Sequence, residues 1–174
     1  MKLKGFIFCL IILLIGVYGT YKIIKRYENK YTPYKLLIQS KTIDGKDIST
    51  LIDSNKPLLV HFWGTWCPTC REELNIIERL SKNKNFTLIT VAQGSGSNKD
   101  INEFMQKRGL DFIVINDKND KLVTAFKILG YPTTYFYSTN RVLTRIKRAG
   151  PLSYDKYLEF AKFVSEWNFS SKLL

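Results

Sequence analysis

A chain of 174 residues with 45% apolar and 14% aromatic content has room for one ordinary domain plus an appendage, and its apolar share excludes wholesale disorder. The formal net charge of +12 invites a nucleic-acid reading, but the lysines are scattered along the chain, and only "RVLTRIKR" (Arg141–Arg148) is dense. A solvated basic face accounts for that stretch; such a face can meet anionic lipid or an acidic partner, and no nucleic-acid partner is expected.

From the N-terminus, Gly5 to Tyr21 carries no charged residue; Lys2 and Lys4 precede it, and Lys22, Lys25 and Arg26 come after it. As a helix this run would extend about 26 Å, near the short end of what spans a bilayer. Tyr18, Tyr21 and Lys22 stand where an interface would want them. Cys9, inside the run, reads as a small buried hydrophobe. Residues 1–24 are therefore expected to form an uncleaved membrane anchor. A signal peptide cleaved after Val17-Tyr18-Gly19 is the rival reading, and both export the downstream chain if the N-terminus stays inside. Basic residues at both ends give the positive-inside rule little to decide on.

Residues 25–33 are polar and read as a linker to a domain over 34–170. "YKLLIQSKTIDGKDIS" holds Asp44-Gly45 between two apolar-bearing arms and predicts an N-terminal hairpin. Pro57 to Trp63 is a continuous apolar run, the mark of a strand covered on both faces. After Pro68, Leu74, Ile77 and Leu80 recur at helical spacing. Phe86 to Ala92 predicts a second strand, and Ser97 or Asn98 caps a helix reaching about Lys107. "DFIVIND", "TTYFY" and "RVLTRIKR" predict three more strands, "KLVTAFKI" a short helix, and Tyr154 to Trp167 an amphipathic helix with Tyr157, Leu158, Ala161, Val164 and Trp167 inward. This order means α/β with a mixed sheet.

Cys67 and Cys70 stand two residues apart where the first buried strand gives way to a helix. A structural zinc site takes four Cys or His ligands. Outside the apolar run this chain offers these two cysteines and one histidine, His61, so only a site shared between two copies could hold zinc. Redox chemistry needs less. Cys67 at a helix N-terminus meets unpaired N–H groups and the positive end of the dipole, which favour thiolate, the attacking species. Cys70 sits one turn further in, and Pro68 suits the first turn, where its missing N–H is not needed.

"FWGTWCPTC" resembles the thioredoxin active site, and Gly130-Tyr131-Pro132-Thr133-Thr134 resembles the loop carrying its cis-proline. "CPTCREE", with the further strand and helix before Asp117, looks most like the membrane-anchored TlpA, ResA and DsbE (CcmG) group, and Val91 to Leu122 is similar to its ScsD-type branch. Leu74 departs from the proline many members carry there. The resemblance implies a thioredoxin-like fold: a mixed central sheet flanked by helices, with the N-terminal hairpin and the transmembrane helix added. It implies protein thiol–disulfide oxidoreductase activity with no cofactor beyond a redox-active Cys67–Cys70 disulfide and no bound metal.

Under that resemblance Cys67 is the nucleophile and Cys70 resolves the mixed disulfide. Trp66 offers an apolar platform, and a cis Pro132 turns the Tyr131 backbone toward the disulfide to pair with an incoming peptide. Pro68 and Thr69 tune the potential. His61, six residues before Cys67, either handles the second cysteine's proton or is a satisfied core histidine with a backbone partner. Glu73 either acts near the disulfide, as the matching glutamate of the group does, or is solvated at the helix start.

The expected setting is a single-pass protein of the bacterial inner membrane with its domain in the periplasm or extracytoplasmic space, where disulfides persist. Its partners would be exported thiol or disulfide proteins, apocytochrome c among them, and a membrane electron donor or acceptor. Three readings stand: a mildly reducing enzyme of cytochrome c maturation, an ScsD-type partner in copper or oxidative stress, and a thioredoxin-fold binding protein without turnover.

Overall fold

The computed structural model describes residues 2–139 and 145–166, and for 2–6, 9, 10, 26–32 and 145–147 the backbone alone. The elements in order are α1 (Lys2–Ile38), α2 (Ile48–Leu51), β1 (Leu58–Trp63), α3 (Pro68–Ser81), β2 (Thr87–Ala92), α4 (Asn98–Gln106), β3 (Val114–Asn116), α5 (Lys121–Ala125), β4 (Thr133–Tyr137), β5 (Arg145–Ala149) and α6 (Tyr154–Glu166).

The five strands form one sheet in the order β3-β2-β1-β4-β5. β1, β2 and β3 run parallel, and β4 and β5 are antiparallel to their neighbours, so the sheet is mixed. β1 is central, and all six of its residues are buried. Its side chains alternate between two cores. Leu59 and Trp63 face the layer built by α3, α4 and α6, with Leu74, Ile77, Ile101, Tyr157 and Val164. Leu58, Val60 and Phe62 face the layer built by the end of α1, α2 and α5, with Leu37, Ile48, Leu122 and Phe126. His61, by the same alternation, belongs to the α3 and α6 side.

The strands and helices expected after residue 57 are present. Trp167, Asn140 and Arg141 to Thr144 lie outside the described residues.

The expected N-terminal hairpin is corrected. Its first arm, Tyr34 to Ile38, is the last turn of α1, and a single antiparallel bridge, Lys41 to Asp47, closes around Gly45 at φ +87°. Helical spacing explains the difference. Tyr34 and Leu37 are three residues apart and share one helix face, where Leu37 is fully buried beside α5; a strand would send them to opposite faces. The expected linker, 25–33, continues the same helix, with Pro33 inside it. The short helix α2, which buries Ile48, was not expected. Among the described residues no helix is long and apolar enough to cross a membrane.

Candidate active site

β1 ends at Trp63, and a short turn delivers Cys67 to the N-cap of α3. Cys67 has extended backbone (φ −85°, ψ 111°), as an N-cap requires, and its Sγ accepts a hydrogen bond from the Cys70 N–H at 3.2 Å. Pro68 fills the first helical turn, where no N–H is missed. Cys67 and Cys70 form a disulfide with a Cα–Cα distance of 5.3 Å. Cys67 is 4% exposed and Cys70 is fully buried, so Cys67 is the sulfur an incoming group can reach. Pro68 and Thr69 are exposed beside it. Among the described residues no group of three or more His, Cys, Asp or Glu could hold a metal ion.

The loop before β4 supplies the opposite wall. The Tyr131–Pro132 peptide bond is cis, Pro132 is buried, and the Tyr131 ring stands edge-on to Trp66 with centroids 5.4 Å apart. Trp66 is 52% exposed, yet it is fixed, because its Nε1–H donates to the Gln93 carbonyl at 2.9 Å. Gly64 makes that position available: a Cβ there would lie 2.5 Å from Trp66 Nε1. Thr65 is held in turn by its N–H donating to Ser95 Oγ. The Trp66 ring is thus an exposed aromatic plate on the surface beside the disulfide, not part of the core.

Beneath the disulfide lies a buried polar cluster. His61 is fully buried, and its Nδ1 is 2.9 Å from Thr134 Oγ1, the residue paired with it across β1 and β4. Thr134 Oγ1 is 3.0 Å from the Tyr157 hydroxyl on α6. Tyr157 donates to Glu73 Oε1 at 2.8 Å, and the Leu152 N–H donates to the same oxygen at 2.7 Å. Glu73 is 2% exposed, so it is not the solvated helix-start residue of the second reading. Its Oε2 lies 4.0 Å from His61 Nε2. Burial pushes the His61 imidazole down to about 3 and the Glu73 carboxyl up, with the Leu152 and Tyr157 hydrogen bonds offsetting part of the latter. Burial and the neighbouring Glu73 raise the Tyr157 phenol. Burial thus works against the charged form of each of these groups, and it keeps His61 neutral at neutral pH. His61 is a side-chain-bonded histidine, with no backbone partner in the cluster.

Glu73 is three residues after Cys70, on the same face of α3, and both are buried. The expected site residues Cys67, Cys70, Trp66, Tyr131 and Pro132 thus gather on one side of β1's end, with His61 and Glu73 behind. Tyr157 and Thr134 were missed as part of the site. Tyr157 read as an inward residue of an amphipathic helix, and Thr134 as a strand residue. The usable signal was the phenol itself, since a buried tyrosine hydroxyl takes a partner.

A family model described as Redoxin matches residues 36–156. A thioredoxin-like protein of Haemophilus influenzae is 33% identical over 91 residues, which are 52% of this chain and 54% of that one, so the chain spans about half of that relative. The thioredoxin-like protein YneN of Bacillus subtilis is 30% identical over 148 residues, covering 79% of this chain and 85% of YneN. The thiol-disulfide oxidoreductase ResA of Oceanobacillus iheyensis is 28% identical over 168 residues, covering 89% and 86%. Among solved structures, MTB dsbF superposes with a TM-score of 0.63 at 22% identity, over 74% of this chain and 97% of dsbF; at that identity the likeness speaks for the thioredoxin-like fold alone.

Proposed function

Because the chain belongs to the Redoxin family, we propose that it works as a protein thiol–disulfide oxidoreductase of the TlpA/ResA kind, through Cys67 and Cys70. The observation that carries this reading is the disulfide at the N-terminus of α3, with one sulfur reachable and the other buried.

Acting as a reductant, the Cys67 thiolate attacks one sulfur of a substrate disulfide. That disulfide breaks, one substrate thiolate leaves, and a mixed disulfide forms. Cys70 then loses its proton and attacks Cys67 Sγ; the Cys67–Cys70 bond forms and the second substrate sulfur leaves as thiolate. The helix start stabilises the Cys67 thiolate whenever it is released, with the Cys70 N–H already aimed at Sγ. Ionised while the cysteines are reduced, the buried Glu73 carboxylate, one turn behind Cys70, takes the Cys70 proton, and His61 backs it. Trp66 and Tyr131 form the platform on which a peptide rests, and the backbone before cis-Pro132 pairs with it as an added strand.

The substrates are exported proteins bearing a cysteine pair, with the Cys-x-x-Cys of an apocytochrome c as the first to test, and electrons come from a membrane donor. The domain stands outside the bacterial inner membrane on an anchor formed by residues 1–24. The uncharged run from Gly5 to Tyr21 supports that anchor, as do the exposed side chains of Ile11, Ile12, Leu13 and Leu14. The centre is mildly reducing, between the limits of about −270 mV and about −120 mV found in this fold.

Insulin reduction driven by dithiothreitol tests the activity. The parent chain should accelerate it and Cys67→Ser should fall to the uncatalysed rate. A parent with no turnover, binding a peptide as well as Cys67→Ser does, would establish the binding-protein reading instead. Equilibration with a glutathione buffer tests the direction, and a potential near the oxidising limit would overturn the reductant.

A further inference from the structure

The cluster below the disulfide is short of one hydrogen, and the shortage can be located. Glu73 Oε1 receives two donors, the Leu152 N–H and the Tyr157 hydroxyl. The Tyr157 hydrogen is therefore spent on Glu73, and in its contact with Thr134 the phenol oxygen must accept. The single Thr134 hydroxyl hydrogen is spent on Tyr157 in turn. Thr134 Oγ1 then accepts from His61, which puts a hydrogen on Nδ1. The 3.3 Å contact between Nδ1 and the Tyr157 oxygen fits the same assignment, as a second, longer acceptor. Giving the Thr134 hydrogen to Nδ1 instead leaves the Thr134–Tyr157 contact without any hydrogen.

A neutral His61 with hydrogen on Nδ1 presents a bare lone pair at Nε2. Opposite it, at 4.0 Å, stands Glu73 Oε2. Both atoms are buried, and both lack a hydrogen-bond partner. Two lone pairs facing each other away from water are unfavourable, and one proton between them removes the conflict. The last torsion of glutamate is soft, so the approach of about 1 Å needed for a hydrogen bond is within its reach.

We propose that Glu73, Tyr157, Thr134 and His61 close a hydrogen-bonded ring that stores one proton between Glu73 Oε2 and His61 Nε2, with Thr134 and Tyr157 as positioning residues that keep Nε2 the acceptor. The proposal rests on the redox reading and deepens it. When Cys70 gives up its proton to form the disulfide, the proton enters this ring and resides on Oε2, donated toward Nε2; when the disulfide is opened and Cys70 leaves as thiolate, the same proton returns to sulfur. The oxidised ring then carries no net charge; in the reduced state Cys70 holds the proton and Glu73 stands as a carboxylate, its Oε1 still held by the Leu152 N–H and the Tyr157 hydroxyl. The titratable groups facing His61 are Glu73 from α3 and Tyr157 from α6. β4 and β2 offer the hydroxyls of Thr134 and Thr90, and Thr90 is bonded to Trp63 Nε1 and the Ile113 carbonyl.

His61 is the chain's single histidine, so its nitrogen resonances are unambiguous. Nitrogen-15 NMR of the oxidised full chain should show the Nδ1–H tautomer, with no titration between pH 5 and 8, and infrared spectra should show a protonated carboxyl band that vanishes in Glu73→Gln. Thr134→Val removes the acceptor for Nδ1–H and should shift the tautomer ratio toward Nε2–H by about tenfold, the weight of one hydrogen bond. An Nε2–H tautomer in the parent chain, an imidazolium titrating near its ordinary value, or no carboxyl band sensitive to Glu73→Gln would each overturn the ring. These readings need no substrate. Insulin turnover with the wrong tautomer would sink the ring alone, and the right tautomer without turnover would sink the function alone.

Discussion

At the scale of single residues, burial acts on His61 and Glu73 with opposite signs, and that makes their contributions separable. His61 falls from 6.5 to about 3 on folding. Between those values the unfolded chain holds a proton that the folded chain lacks, so His61's part of the stability is whole above pH 6.5 and is lost as the pH falls. Glu73 is raised above 4.5. The folded chain keeps a proton the unfolded chain has released, so Glu73's part is whole below pH 4.5 and is lost as the pH rises. Above pH 4.5, until Glu73 ionises in the folded chain, the two slopes oppose each other. Urea unfolding of the oxidised parent should depend on pH less steeply there than that of either variant. Glu73→Gln should expose a stability that rises with pH, and His61→Gln one that falls, each by up to about 1.4 kcal/mol per pH unit. Equal slopes in both variants would contradict the assignment. Gly64 carries a second prediction at this scale. A Cβ at Gly64 would meet Trp66 Nε1 at 2.5 Å and the Gln93 carbonyl at 3.0 Å, so Gly64→Ala must break the bond that fixes the exposed ring. Insulin turnover should drop about tenfold, the worth of one such bond, while reduction of the disulfide by dithiothreitol, which needs no platform, should keep its rate. An equal loss in both reactions would assign Gly64 to folding.

At the scale of elements, local chemistry decided where the sequence could be read. β1 and α3 were legible because burial on both faces and helical periodicity are strong patterns, and Cys67 marked the boundary between them. α4 was legible through its cap. Ser97 Oγ accepts from the Asp100 N–H while the Asp100 carboxylate accepts from the Ser97 N–H, which closes a capping box. Ser97→Ala should cost about 1 kcal/mol in urea unfolding, and a change below the error of that measurement would show that the loop before α4 does not need the cap. The end of α1 was not legible. Asp44-Gly45 does make its turn, but Tyr34 and Leu37 are committed by packing on the α5 layer, a long-range contact that a hairpin signal cannot report. The ring behind the disulfide was half legible for the same reason. His61 and Glu73 announced themselves by their distance along the chain from the cysteines, whereas Thr134 and Tyr157 join them only through strand register and the docking of α6.

At the scale of the whole molecule, α1 has two halves with different environments. Its 37 residues would extend about 56 Å. The C-terminal turns are held by Leu37 against α5. In the N-terminal half, Ile11, Ile12, Leu13 and Leu14 are exposed by 48%, 55%, 65% and 57%. Four consecutive residues point to all sides of a helix, since each turn takes 3.6. A helix apolar on every side belongs in hydrocarbon or inside protein, and these four described side chains are all exposed. The anchor reading therefore predicts that the full chain pellets with membranes, resists carbonate extraction and keeps its full mass. A chain starting at Lys25 retains Tyr34, Leu37 and the whole disulfide site, so it should be soluble and turn over insulin at the parent rate. Recovery of the exported chain in soluble form, with a new N-terminus just after Gly19, would replace the anchor by a cleaved signal peptide. Either result leaves the redox centre where it is, because among the described residues none before Pro33 contributes to the site around Cys67.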